Sequence, residues 1–97
     1  MGFYKKWKEK HAFNAENCRK KQQKFFDENF IRKMEDIRGR IDYVVSNSIE
    51  EHAVIYCVNP LDRELYVRIS DYFYNLGFFT IITKIEGLQD EYLIISW

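Results

Sequence analysis

Four side chains in this sequence have the chemistry of metal ligands or of a nucleophile with its base: His11, Cys18, His52 and Cys57. Structural zinc sites gather closely spaced ligands at tight turns. Here Cys18 falls in a helical pattern and Cys57 lies inside the apolar run AVIYCV, so the pairs do not converge on a turn. Nothing beside either thiol would lower its pKa, which a reactive cysteine requires, and Cys57 reads instead as a small core hydrophobe. The acidic neighbours Glu35-Asp36 and Glu50-Glu51 are adjacent in sequence. On a helix adjacent residues point in different directions, so these are solvated surface rather than an acid and base pair. Among the four glycines there is no GxxxxGK[ST] or GxGxxG phosphate loop. The sequence therefore assigns no catalytic residue, cofactor or metal, and reads as a non-enzyme.

A second chemistry is written in the N-terminal quarter. The run KKWKEKH puts cations around an indole and is followed by RKK at Arg19-Lys20-Lys21. Such a mixture neutralises phosphates and stacks rings. Residues 1–24 hold eight basic side chains against two acidic ones, a net of plus six, and the remaining residues carry a net of minus six. Charge asymmetry of this kind marks an interaction arm. The arm residues expected to bind a partner are Lys5, Lys6, Trp7, Lys8, Lys10, Arg19, Lys20, Lys21 and Lys24. Their partner would be an acidic protein surface, either the chain's own body or a neighbour's. A nucleic acid would be held weakly and without sequence preference, because no base-reading motif accompanies the cations. An anionic lipid surface would meet the same cations with Phe3, Tyr4 and Trp7.

The elements that position these residues are set by periodicity. Phe26, Phe30, Met34, Ile37, Ile41, Val44 and then Val45 and Ile49 recur at spacings that mark one face of an α-helix. Upstream, Phe3, Trp7, His11, Ala15, Cys18, Gln22 and Phe25 keep a weaker helical spacing, with Asn14, Asp27 or Asn29 available to cap a break. The domain division expected is a basic helical arm over residues 1–25 and a single compact α/β domain over 26–97. In the latter, Ala53–Val58 reads as a strand. Asn59 and Pro60 then supply an N-cap and a first helical residue. The helix buries Leu61, Leu65, Ile69, Tyr72, Phe73 and Leu76, and Gly77 closes it. Tyr66 and Tyr74 fall off that stripe as candidate surface aromatics for partner contact. FFTIIT and YLIISW then form a hairpin, with Phe79, Ile81 and Thr83 on one face. Both hairpin strands are apolar on both faces, so the second face needs a cover, either the long N-terminal helix or another protomer. The fold class expected is α+β: N-terminal helical segment or segments, then a β-α-β-β unit with a three-stranded mixed sheet in the order 1-3-2. The continuously apolar YLIISW is placed at its centre, antiparallel to both neighbours, with a right-handed crossover joining its flanks; the alternative puts FFTIIT in the centre.

Size and composition set the frame. A chain of 97 residues is one domain with a modest core, and eight Phe, seven Tyr and two Trp supply much of it. Two widely spaced cysteines make no disulfide framework and suit a reducing compartment. No stretch approaches the roughly 20 apolar residues of a membrane span. The opening Met-Gly lacks the Ser or Thr of a myristoylation signal, Lys6 standing in its place. A soluble intracellular chain is expected.

From about Ile37 to Trp97 the pattern resembles a small domain of unknown function found in tailed-phage proteins. Its marks here are Ile41, the IYCV strand, the helix ending YFYNLGFF, and Ile95-Ser96-Trp97. This chain departs from that family between the first helix and first strand, with Ser46-Asn47-Ser48 and Glu-Glu-His in place of a small residue and a Gly. The resemblance implies a non-catalytic phage protein in the host cytoplasm or the virion. It would act structurally, by self-association or by binding another protein, inhibition of a host factor included.

Overall fold

A computed structural model describes residues 13–97. The expected arm residues Lys5, Lys6, Trp7, Lys8 and Lys10 lie outside that range. The first element, α1, is a helix of 33 residues, Ala15–Asn47, about 50 Å long at 1.5 Å per residue. Asn14 starts it, its side chain accepting the Asn17 N–H at 2.8 Å. Of the one or two segments expected the structure has one continuous helix: Asn14 caps its start, and the other two candidate caps bond within it. Asp27 accepts from Gln23 at 3.0 Å, and the Asn29 amide donates to the Phe25 carbonyl at 2.7 Å. The expected boundary at residue 25 thus falls inside α1. At the other end the Ser48 N–H reaches the Val44 carbonyl at 2.9 Å and the Ser48 hydroxyl accepts the Glu51 N–H at 3.2 Å, turning the chain toward the sheet.

The strand β1 is Ala53–Val58. Asn59 then accepts the Leu61 N–H at 3.0 Å, with Pro60 behind it, but what it caps is a 3-10 turn, Pro60–Asp62. The α-helix proper, α2, is Arg63–Asn75. Its C-terminus is closed by a paired bond set: the Phe78 N–H reaches the Phe73 carbonyl at 3.1 Å and the Gly77 N–H the Tyr74 carbonyl at 3.0 Å. This Schellman geometry needs a left-handed residue, and Gly77 supplies it with φ +96°. The apolar contact that accompanies such a cap is the Phe73–Phe78 ring pair, 5.6 Å apart and edge to face.

The last two strands are β2, Phe79–Lys84, and β3, Glu91–Ser96. The sheet order is β1-β3-β2, with β3 central. Both ladders are antiparallel, so the sheet is antiparallel throughout rather than mixed. The molecule is α+β, with a long N-terminal helix and a second helix packed on three strands. Its extents of 68 × 31 × 19 Å reflect the overhang of α1 beyond the sheet.

A single core lies between the sheet and the helices. Val54, Val58, Leu93 and Ile95 from the sheet meet Tyr66, Ile69 and Phe73 of α2 and Ile37, Ile41 and Val44 of α1. Both helices thus pack on the same sheet face. Edge-to-face rings run from α1 to the C-terminus, Phe30–Tyr72–Phe73–Phe78–Trp97, with centroids 5.2 to 6.4 Å apart. The helix–sheet seam is pinned where the Ser70 hydroxyl donates to Thr80 Oγ1 at 2.9 Å. Arg68 joins α2 to α1, pairing with Asp27 at 3.2 Å and stacking 4.6 Å over Phe30.

Three expectations give way to the packing. The α2 stripe differs: Tyr66 is 6% exposed and belongs to the core, whereas Leu61, expected inside, is 93% exposed and Leu76 is also exposed. Leu61 falls in the 3-10 turn, outside the phase of the helix, and Leu76 lies past its last residue; Tyr66, three residues before Ile69 and seven before Phe73, shares their face. Cys57 is exposed on the sheet rather than buried. Finally, α1 does not cover the second face of the sheet, because it shares the first with α2.

Phe73→Ala should cost about 3–5 kcal/mol in urea unfolding, while Tyr74→Ala on the exposed side should stay within about 0.5 kcal/mol. Equal losses would contradict the helix phase. A chain truncated after Tyr92 loses Leu93 and Ile95 from the central strand and should show no cooperative melt; a cooperative transition would refute the strand order.

Candidate functional site

The alternation of each strand assigns its side chains to one face or the other, and the ladder register groups them across strands. On the face away from the helices the register sets Ala53, Ser96 and Phe79 in one row. The next row is Ile55, Ile94 and Ile81, and the third is Cys57, Tyr92 and Thr83. None of these nine positions is charged. Ile55 is 57% exposed, Phe79 65% and Ile81 42%. A solvated antiparallel sheet normally alternates apolar inward with polar outward. Here seven of the nine outward residues are apolar or aromatic, Ser96 and Thr83 being the polar two, and the middle row is isoleucine on every strand. The partner of Leu93 on the core side is Ile82, not Ile81.

A second concavity lies where α1 overhangs the start of α2, a groove of about 1230 Å³. Phe25, Phe26, Leu61 and Leu65 give it apolar walls, and Lys21 and Arg32 stand among its cations. It is broad and open, and its lining shows no nucleophile paired with a base. Among the described residues no three His, Cys, Asp or Glu side chains are placed to hold one metal ion.

The sequence-assigned residues separate in space. Arg19, Lys20, Lys21 and Lys24 are exposed on the overhanging part of α1; Lys20 pairs with Glu16 at 3.2 Å in full solvent contact, an i,i+4 pair of small energetic weight. Tyr74 is 66% exposed near the C-terminus of α2. Tyr66, assigned to the same surface role, is in the core, and Lys33 sits 5.6 Å over its ring. No geometry brings Tyr74 to the arm cations or to the nine-residue sheet face as one site. That sheet face was not assigned as a site from sequence, although its signal was present: both hairpin strands are apolar on both faces.

No protein-family model matches the chain, and neither a curated protein nor a solved structure matches it significantly. No helix among the described residues is long and apolar enough to cross a membrane.

One titration is built into the edge of this sheet. Tyr56 points to the helix side of β1, and burial pushes its phenol above the usual value near 10. Arg40 opposes the shift, while Asp36 and Tyr66 add to it. A raised pKa means the folded state favours the neutral phenol. Its contribution is fully present below about pH 10 and is lost as pH rises through the folded value. Alkaline unfolding of the wild-type chain should therefore be steeper above pH 10 than that of Tyr56→Phe. Superimposable stability profiles would show that Tyr56 is not held in this environment.

Proposed function

We propose that this chain is a non-enzymatic protein-interaction module of the small phage type, structural or inhibitory in role, whose contact surface is the sheet face opposite the helices. One observation carries this reading: nine outward positions on three strands without a charge, with an unbroken isoleucine row across the middle. Exposed contiguous apolar surface on a small domain marks interaction sites. A six-residue strand is about 20 Å long and neighbouring strands lie about 4.8 Å apart, so the face is flat and large enough to seat another segment of protein. The finer topology belongs to the same reading: a β-α-β-β unit, with α2 as a right-handed crossover, leaves the hairpin free to present this face. The setting is the host cytoplasm or the virion.

A nucleic-acid accessory role is the second reading, favoured by the exposed cations Arg19, Lys20, Lys21 and Lys24. It uses a different surface. Such binding would be indifferent to sequence and strongly weakened by salt.

A pair of variants separates the two. With Ile55→Glu and Ile81→Glu combined in the full chain, proteins captured from infected cells by the wild-type bait should be lost. The melting temperature should change little, because both side chains are exposed. Unchanged capture by the double variant would remove the sheet face as the contact surface, and capture lost only on charge reversal at Lys20 and Lys21 would favour the arm.

A further inference from the structure

We propose that the occupant of the open sheet face is the basic N-terminal segment, residues 1–12, of a second copy of this chain. This rests on the sheet-face reading and names its partner.

Charge selects such an occupant. The apolar face is bracketed at both ends of its strands by acidic side chains. Glu50 and Glu51 precede β1, and Glu86 and Asp90 lie in the β2–β3 connection. All four are exposed, and none joins an ion pair among the described residues. A ligand that satisfies this surface is apolar in places and basic overall. Residues 1–12 carry Lys5, Lys6, Lys8 and Lys10 against Glu9, a net of plus three, interleaved with Phe3, Tyr4 and Trp7. Rings of that size bury about 150–250 Å² each, which the isoleucine row and Phe79 can accept.

The same charges disfavour a symmetric pairing of two sheet faces. Any such pairing brings the acidic strand ends of one copy onto those of the other, since both ends of the sheet are acidic.

Reach places the segment on a second copy. The contacts of α1 with α2 begin at Phe26 and Asp27, against Arg68, and Ala15 lies about 18 Å from Asp27 along the helix. The preceding 14 residues span at most about 50 Å when fully extended. Returning in cis would spend about 18 Å retracing the overhang and roughly 10 Å more passing from the helix layer to the far side of the sheet. Trp7, at most about 29 Å from Ala15 when the chain is extended, would then stay off the face, with Lys8 and Lys10 behind it. In trans the overhang is an advantage, because it carries the segment away from its own body and toward a neighbour's.

The test is complementation between two full-length variants, followed by sedimentation velocity. One variant has a charged face, Ile55→Glu with Ile81→Glu, and an intact arm. The other has an altered arm, with Lys5, Lys6 and Lys8 changed to Glu and Trp7 to Ser, and an intact face. Thermal melts establish that each is folded. Wild type should self-associate by about 100 μM, weakening roughly tenfold or more between about 0.05 and 0.5 M salt. Each variant alone should be monomeric, and an equimolar mixture should form a complex. Three results would overturn the inference: a monomeric wild type, a mixture that stays monomeric, or an arm variant that self-associates as wild type does. In the third case, a face variant that remains monomeric would show that the sheet face still makes the contact and only the occupant was misassigned.

Discussion

Everything distinctive about this molecule depends on one packing arrangement, the docking of both helices onto the same face of a three-stranded sheet. Leu93 and Ile95 of the central strand are fully buried beneath Phe73 and Ile69 of α2 and Ile37 of α1. With β3 in the middle, each helix can touch the central strand and one flank, which a small chain needs if a modest core is to hold both layers. The consequence is a one-sided structure. Among the described residues two helices lie on one side and none on the other, and the overhang of α1 extends past the core rather than folding over the open face.

Much of this was legible in the sequence because local rules agreed with the global fold. Asn59-Pro60 marked a helical start, Gly77 marked a stop, and the apolar run of the last strand pointed to a central position; each has a direct physical cause in cap geometry or in pairing along both edges of the strand. Other features were not legible for equally physical reasons. A capping residue opens either a 3-10 turn or an α-helix, and only the chain's tertiary setting decided for the former. That choice left Leu61 outside the helix and exposed, while Tyr66, three residues before Ile69, lies on the buried face of α2. Likewise Asp27 and Asn29 look like cap residues, yet local bonds to Gln23 and Phe25 keep α1 continuous through them. The burial of Cys57 was misread because an apolar strand of this length gives no sign of which face meets a helix.

The candidate site was legible as chemistry but not as a place. That the hairpin was apolar on both sides was plain, and so was the basic arm. What the structure adds is that the long helix is spent on the inner face, so the outer face is left as a surface with a defined register. The isoleucine row Ile55–Ile94–Ile81 exists only through the pairing of strands far apart in sequence. The acidic ends of the strands likewise meet around one surface only because β1 and the hairpin share a sheet.

Cys57 lies on the outer face at the corner beyond Ile55 and provides the most direct measure of whether that face is open. In a Cys18→Ser background, the labelling rate of the Cys57 thiol reports its access to solvent. Dilute native protein should label within roughly tenfold of the unfolded chain, because the thiol is exposed. Labelling should slow as the protein concentration rises and the face is occupied. Strong protection in the dilute native protein would contradict the account, since it would mean that something within the single chain already covers the face.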